Sequence, residues 1–116
     1  MFSIINNTIT ITQGDSAEFG VTIYDPNEKD EDDKPIEYEL QPGDQIILSV
    51  KPDKKDAEYL FQIEGPNFKI LPEHTKEANL STKYFYDVEL RFANGEDTHT
   101  IISRSPFLIR EGVTND

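Results

Sequence analysis

Carboxylates are the commonest reactive groups in this chain. It holds 23 Asp and Glu against 11 Lys and Arg and two His, a formal net charge of −12. Acid–base chemistry on a sugar needs two carboxylates facing each other across a site, with environments that push their pKa values apart. Asp87 and Glu89 share one face of a strand-like run, but nothing around them singles them out, and acids on a strand face are usually solvated. His74 and His99 have no partner at metal-ligand spacing. No nucleophile-elbow pattern surrounds a serine, and the absence of cysteine removes thiolate sites and disulfides. The densest oxygen donors are Asp25, Glu28, Asp30, Glu31, Asp32 and Asp33. A Ca²⁺ loop of the EF-hand kind needs a central glycine and a closing glutamate, which this run lacks. It reads as a mobile, solvated charge run. The expectation is a non-enzymatic protein with no catalytic, cofactor-binding or metal-binding residue.

The sign of the charge excludes two partners. Binding the phosphate backbone of a nucleic acid requires cations that displace its counterions, and an anionic membrane surface repels an acidic chain in the same way. Neither nucleic acid nor membrane is expected as a partner. No segment approaches the roughly twenty apolar residues of a membrane span. Met1 to Asn7 lacks the basic region and long apolar run of an export signal, so synthesis in the cytoplasm without signal-directed export is expected.

The elements that position these groups repeat with period two. Thr8-Ile9-Thr10-Ile11-Thr12 alternates cleanly, and Gln13-Gly14-Asp15-Ser16 follows as a turn. Ala17, Phe19, Val21 and Ile23 share a face, as do Ile46, Leu48 and Val50. Tyr59, Phe61 and Ile63 form a shorter set, and Phe68 to Leu71 another strand. Tyr84, Tyr86, Val88 and Leu90 mark the strongest strand, which Asn94-Gly95 turns back on itself. Pro106 breaks the last strand, whose continuation over Phe107 to Ile109 suits a sheet edge. Pro72 to Lys76 reads as a single helical turn with proline in its first position.

About seven or eight short strands with turns between them predict an all-β fold, a single immunoglobulin-like antiparallel sandwich with one short helical turn. With 116 residues, one domain spans 1–116, interrupted by an acidic loop at 25–37 and closed by a polar tail at 111–116. Seven Phe and five Tyr supply much of the core. The expected core is Phe19, Val21, Ile23, Ile46, Leu48, Val50, Phe61, Tyr86, Val88 and Leu90. Tyr84 stands where a sandwich tyrosine bonds its hydroxyl back across the corner before the penultimate strand.

Five segments carry a family resemblance: Ile9 to Ala17, Tyr38 to Asp44, Tyr84 to Leu90, Asn94-Gly95-Glu96 and Thr100-Ile101-Ile102. In order and spacing they resemble the N-terminal domain of baseplate upper proteins of phages of Gram-positive bacteria, and short phage proteins similar to it. The resemblance runs from Ile9 to Ile109. The segment after Tyr24 is longer and more acidic than the pattern, and the resemblance is to the first domain alone, without the shaft or receptor-binding region of those proteins. The resemblance implies a connector in a tail or baseplate, located in the virion, with other phage structural proteins as partners and oligomeric only within the assembly.

Contact residues are sought where apolar side chains break an otherwise polar strand face: Tyr24, Ile47, Leu60 and Phe85. The alternative reading is an adhesive or carbohydrate-binding sandwich, with Tyr24, Tyr38 and Tyr59 as its candidate aromatics. An enzyme stands behind both.

Overall fold

Alternation sets the core. Ile46, Leu48 and Val50 are fully buried while Ile47 and Ser49 between them are not, and the same rhythm buries Tyr84, Tyr86, Val88 and Leu90. A computed structural model describes residues 2–54 and 57–112, with the backbone alone for residues 25–28. Residues 113–116 of the expected tail lie outside the described part, as do Lys55 and Asp56.

The elements in order are β1 (Phe2–Ile5), β2 (Thr8–Thr12), β3 (Ala17–Gly20), β4 (Tyr24–Lys29), β5 (Pro35–Glu37), β6 (Gln45–Pro52), β7 (Phe61–Gly65), β8 (Asn67–Ile70), α1 (Pro72–Lys76), β9 (Tyr84–Arg91) and β10 (Thr98–Arg110). Six strands form the main sheet in the order β1-β2-β10-β9-β6-β7, β3 pairs with β8, and β4 pairs with β5. The fold class is the all-β sandwich expected. Its inner face carries Ile9, Ile11, Leu48, Val88 and Phe107 from the main sheet and Phe68 and Ile70 from β8, all fully buried. Each such side chain contributes about 1.5–3 kcal/mol by leaving water. Phe19 and Val21, expected in the core, are only half-buried against it. Rings tie the layers together: Phe2 on β1 stacks on Phe19 on β3 at 5.6 Å, and Phe19 meets Phe68 at 5.5 Å.

Four expectations need correction. The strands outnumber the seven or eight foreseen, because β1 and the β4–β5 pair were not. Asn6 and Asn7 take φ of 48° and 66°, the pair of left-handed residues that a two-residue hairpin needs, and Ile5 comes opposite Thr8. The segment expected as an acidic loop at 25–37 is a hairpin. Its turn is closed by Asp30, whose Oδ1 accepts the N–H groups of Asp32 and Lys34 at 2.9 Å each, while its own N–H donates to the Lys34 carbonyl. Local hydrogen bonds from one aspartate thus order a run that its charge alone would leave solvated.

The sandwich is also not wholly antiparallel, and the strand carrying Pro106 is not an edge. β10 runs between β9, antiparallel, and β2, parallel. Pro106 is tolerated because its partner on β9 is Phe85 while the ladder with β2 begins only at Phe107. Irregularities in register between Thr100 and Ser105 precede it.

The corners are tied by side chains. The Tyr84 hydroxyl accepts the Asn79 N–H at 3.0 Å, the tyrosine corner expected of an immunoglobulin-like sandwich. The Tyr86 hydroxyl donates to the Asn7 carbonyl at 2.6 Å. Gln13 Nε2 donates to the carbonyls of Thr75, Lys76 and Ala78 at 3.0–3.1 Å, and the Gly14 N–H donates to Thr75 Oγ1. The Thr75 and Lys76 carbonyls belong to the last turn of α1 and the Ala78 carbonyl lies just beyond it; the Thr75 carbonyl also accepts the Ala78 N–H at 3.0 Å. At the switch from β7 to β8, a Cβ on Gly65 would stand 2.6 Å from the buried Phe68 ring, so only glycine fits.

Candidate functional site

The outer face of the main sheet carries what β6, β9 and β10 turn away from the core. Pairing sets Lys51 opposite Phe85, and Phe85 opposite Pro106. Around this row lies an open groove of about 450 Å³. Phe85 forms its floor, with the Arg104 guanidinium 3.8 Å from the ring centroid. Arg104 is also ion-paired with Asp53 beyond the end of β6. Lys51 Nζ sits 5.7 Å from the centroid of Tyr59, whose ring is 53% exposed. Asp87 completes the wall. Partial burial holds its carboxyl above the usual carboxylate range, the charge of Glu89 adding to the effect and Arg91 opposing it.

A second feature is the sheet edge. β1 pairs only with β2, in unbroken register, and exposes Ile4 and Ile5 at 43% and 67%. No charged side chain occurs before Asp15. Edge strands are ordinarily guarded by charge, proline or a bulge. The opposite edge, β7, carries Glu64 and runs into Pro66.

The four expected contact residues do not form one patch. Tyr24 is 54% exposed at the start of β4. Ile47 is half-buried on the outer face, between Glu64 on β7 and Glu89 on β9. Phe85 is half-buried beneath Arg104. Leu60 corrects the expectation of exposure: it packs against the core, its N–H bonded to the Val50 carbonyl. Of the candidate sugar-binding aromatics, Tyr59 lines the groove, whereas Tyr38 packs edge-on against Phe92 and donates its hydroxyl to Asp44. The groove as a whole was missed by sequence reasoning. Its residues come from four separate stretches, and only the strand order brings them together.

The two histidines lie apart from the groove lining. His74 Nδ1 accepts the Leu71 N–H at 2.8 Å and its ring stacks on Phe61 at 4.8 Å, while His99 is exposed on β10. Among the described residues, no group of three or more His, Asp or Glu is arranged to hold a metal ion, and no helix is long and apolar enough to cross a membrane. The side chains of Asp25 and Glu28, two of the candidate Ca²⁺ donors, lie outside the described residues. No protein-family model matches the chain, and no curated protein is similar to it in sequence.

Proposed function

We propose that the chain is a non-enzymatic interaction module of a phage or prophage particle, a tail or baseplate connector resident in the virion. The observation that carries this reading is the unguarded β1 edge. An acidic chain that places its longest charge-free stretch along an open strand, with Ile4 and Ile5 exposed, presents a surface suited to strand addition by a neighbour. There, main-chain hydrogen bonds supply affinity and alternate side chains supply selectivity. The five segments from Ile9 to Ile109 that resemble the N-terminal domain of baseplate upper proteins support the same reading. Single contacts of this size are weak and become strong when many copies engage together, as they do in a symmetric particle. Deleting the gene from an inducible prophage should stop or truncate tail or baseplate assembly as seen by electron microscopy. Complete, infectious particles made without the protein would remove the reading.

A further inference from the structure

We propose that the groove between Phe85 and Tyr59 binds an anionic saccharide, a sugar bearing a phosphate or a carboxylate. This goes beyond the connector reading and does not rest on it.

The first support is charge. The chain carries 23 acids against 11 Lys and Arg, yet Lys51, Lys54 and Arg104 line this groove against two acids, Asp53 and Asp87. The lining carries a formal +1 in a chain of −12, so an anion meets less repulsion in this concavity than over the acidic remainder of the surface.

The second support is preorganisation. Arg104 is held from two sides, by the Phe85 ring beneath it and by Asp53 beside it. Only Nη2 of the exposed guanidinium bonds Asp53, so the rest of its planar fork of donors is left for a phosphate or carboxylate. Lys51 is likewise gathered over Tyr59.

Aromatic surface is the third support. Phe85 occupies the solvent side of the sheet, where its neighbours Asp87 and Glu89 are acids. The Phe85 face is taken by Arg104, so the half-exposed Tyr59 gives the apolar wall for the C–H face of a ring, while Asp87 can accept from sugar hydroxyls. The volume of about 450 Å³ lies in the range, roughly 300–1,000 Å³, of small-molecule sites.

The test uses the full chain, ¹⁵N-labelled, titrated separately with glucose 1-phosphate, glucuronate, glucose and inorganic phosphate. Saturable amide shifts centred on Lys51, Phe85, Asp87 and Arg104 are expected with glucose 1-phosphate, glucuronate or both, and which of them binds tells phosphate from carboxylate recognition. Glucose should bind about tenfold more weakly or worse, the loss of one charge-assisted hydrogen bond, and inorganic phosphate should also be weaker because it lacks the ring. Arg104→Gln and, separately, Tyr59→Ala should each weaken binding while the dispersed spectrum shows the fold intact. If neither charged sugar gives a saturable shift at millimolar concentration, the proposal is overturned. It is equally overturned if glucose or inorganic phosphate binds as well as the charged sugars, or if both variants bind like the parent chain.

Discussion

Replacing Gln13 by glutamate keeps the shape of the side chain and removes its hydrogens. In the native corner, Nε2 reaches the carbonyls of Thr75, Lys76 and Ala78 at 3.1, 3.1 and 3.0 Å. Two hydrogens serve three acceptors, so two bonds' worth of interaction is at stake. Each net bond contributes about 0.5–1.5 kcal/mol. The Lys76 carbonyl lies at an exposed site and regains water; those of Thr75 and Ala78 are partly buried, and of these Thr75 keeps the Ala78 N–H at 3.0 Å. Gln13→Ala should therefore cost about 2 kcal/mol, within a range of about 1–3. Gln13→Glu should cost at least as much, because a carboxylate facing carbonyl oxygens adds repulsion to the lost donors. For a chain of this length, about 2 kcal/mol lowers the melting temperature by about 8 °C. Urea unfolding followed by circular dichroism reads the change as a shift in midpoint at constant slope. If both variants unfold within about 0.5 kcal/mol of the parent, as unremarked surface substitutions do, Gln13 does not hold the corner and the account of how β2 docks on α1 is wrong.

Other perturbations read other parts of the fold. Gly65→Ala puts a Cβ 2.6 Å from the ring of Phe68, which is fully buried and has no room to yield, so a loss of about 1–3 kcal/mol by overpacking is expected in the same unfolding assay. Acidification should release the link between the turn at Asp44 and the turn at Ala93. The Gln41 N–H, the Tyr38 hydroxyl and the Ala93 N–H all bond the Asp44 carboxylate and hold its pKa below the ordinary value of 3.8. A depressed folded pKa gives stability that is present above the unfolded value and lost as pH falls through the folded one. The difference in stability between the parent and Asp44→Asn, measured by unfolding across a pH series, should therefore shrink below about pH 4. A difference that stays constant through that window would show that the hydrogen bonds do not favour the ionised form.

Strand faces were legible because burial on one side of a sheet forces alternation, and Ile46-Leu48-Val50 and Tyr84-Tyr86-Val88-Leu90 obey it without exception. The helical turn was legible from Pro72, and the tyrosine corner from Tyr84 standing at the start of its strand. The signal for β1 was present in Asn6-Asn7, but a polar pair beside an unpatterned Phe-Ser-Ile-Ile is easily read as an untidy terminus. The β4–β5 hairpin was hidden by composition. Charge runs argue for solvation, and one aspartate bonding two amides overrides that locally. Pro106 argued for an edge because its missing N–H harms a ladder; the sequence does not say where along β10 the second ladder starts. The groove was beyond reach for a different reason. Phe85 and Tyr59 were each noted alone, yet Asp53 and Arg104 meet only because β6, β9 and β10 are neighbours in the sheet.

The central claim is that this protein works inside a particle, and mass spectrometry of purified virions tests it most directly. After prophage induction, particles are separated from soluble lysate protein on a density gradient, and the peptides of this chain are quantified against those of known tail proteins in each fraction. The account predicts that the protein co-migrates with intact particles at a constant ratio to the tail proteins. Abundant protein in the soluble lysate, with none in the particle fractions, would contradict it.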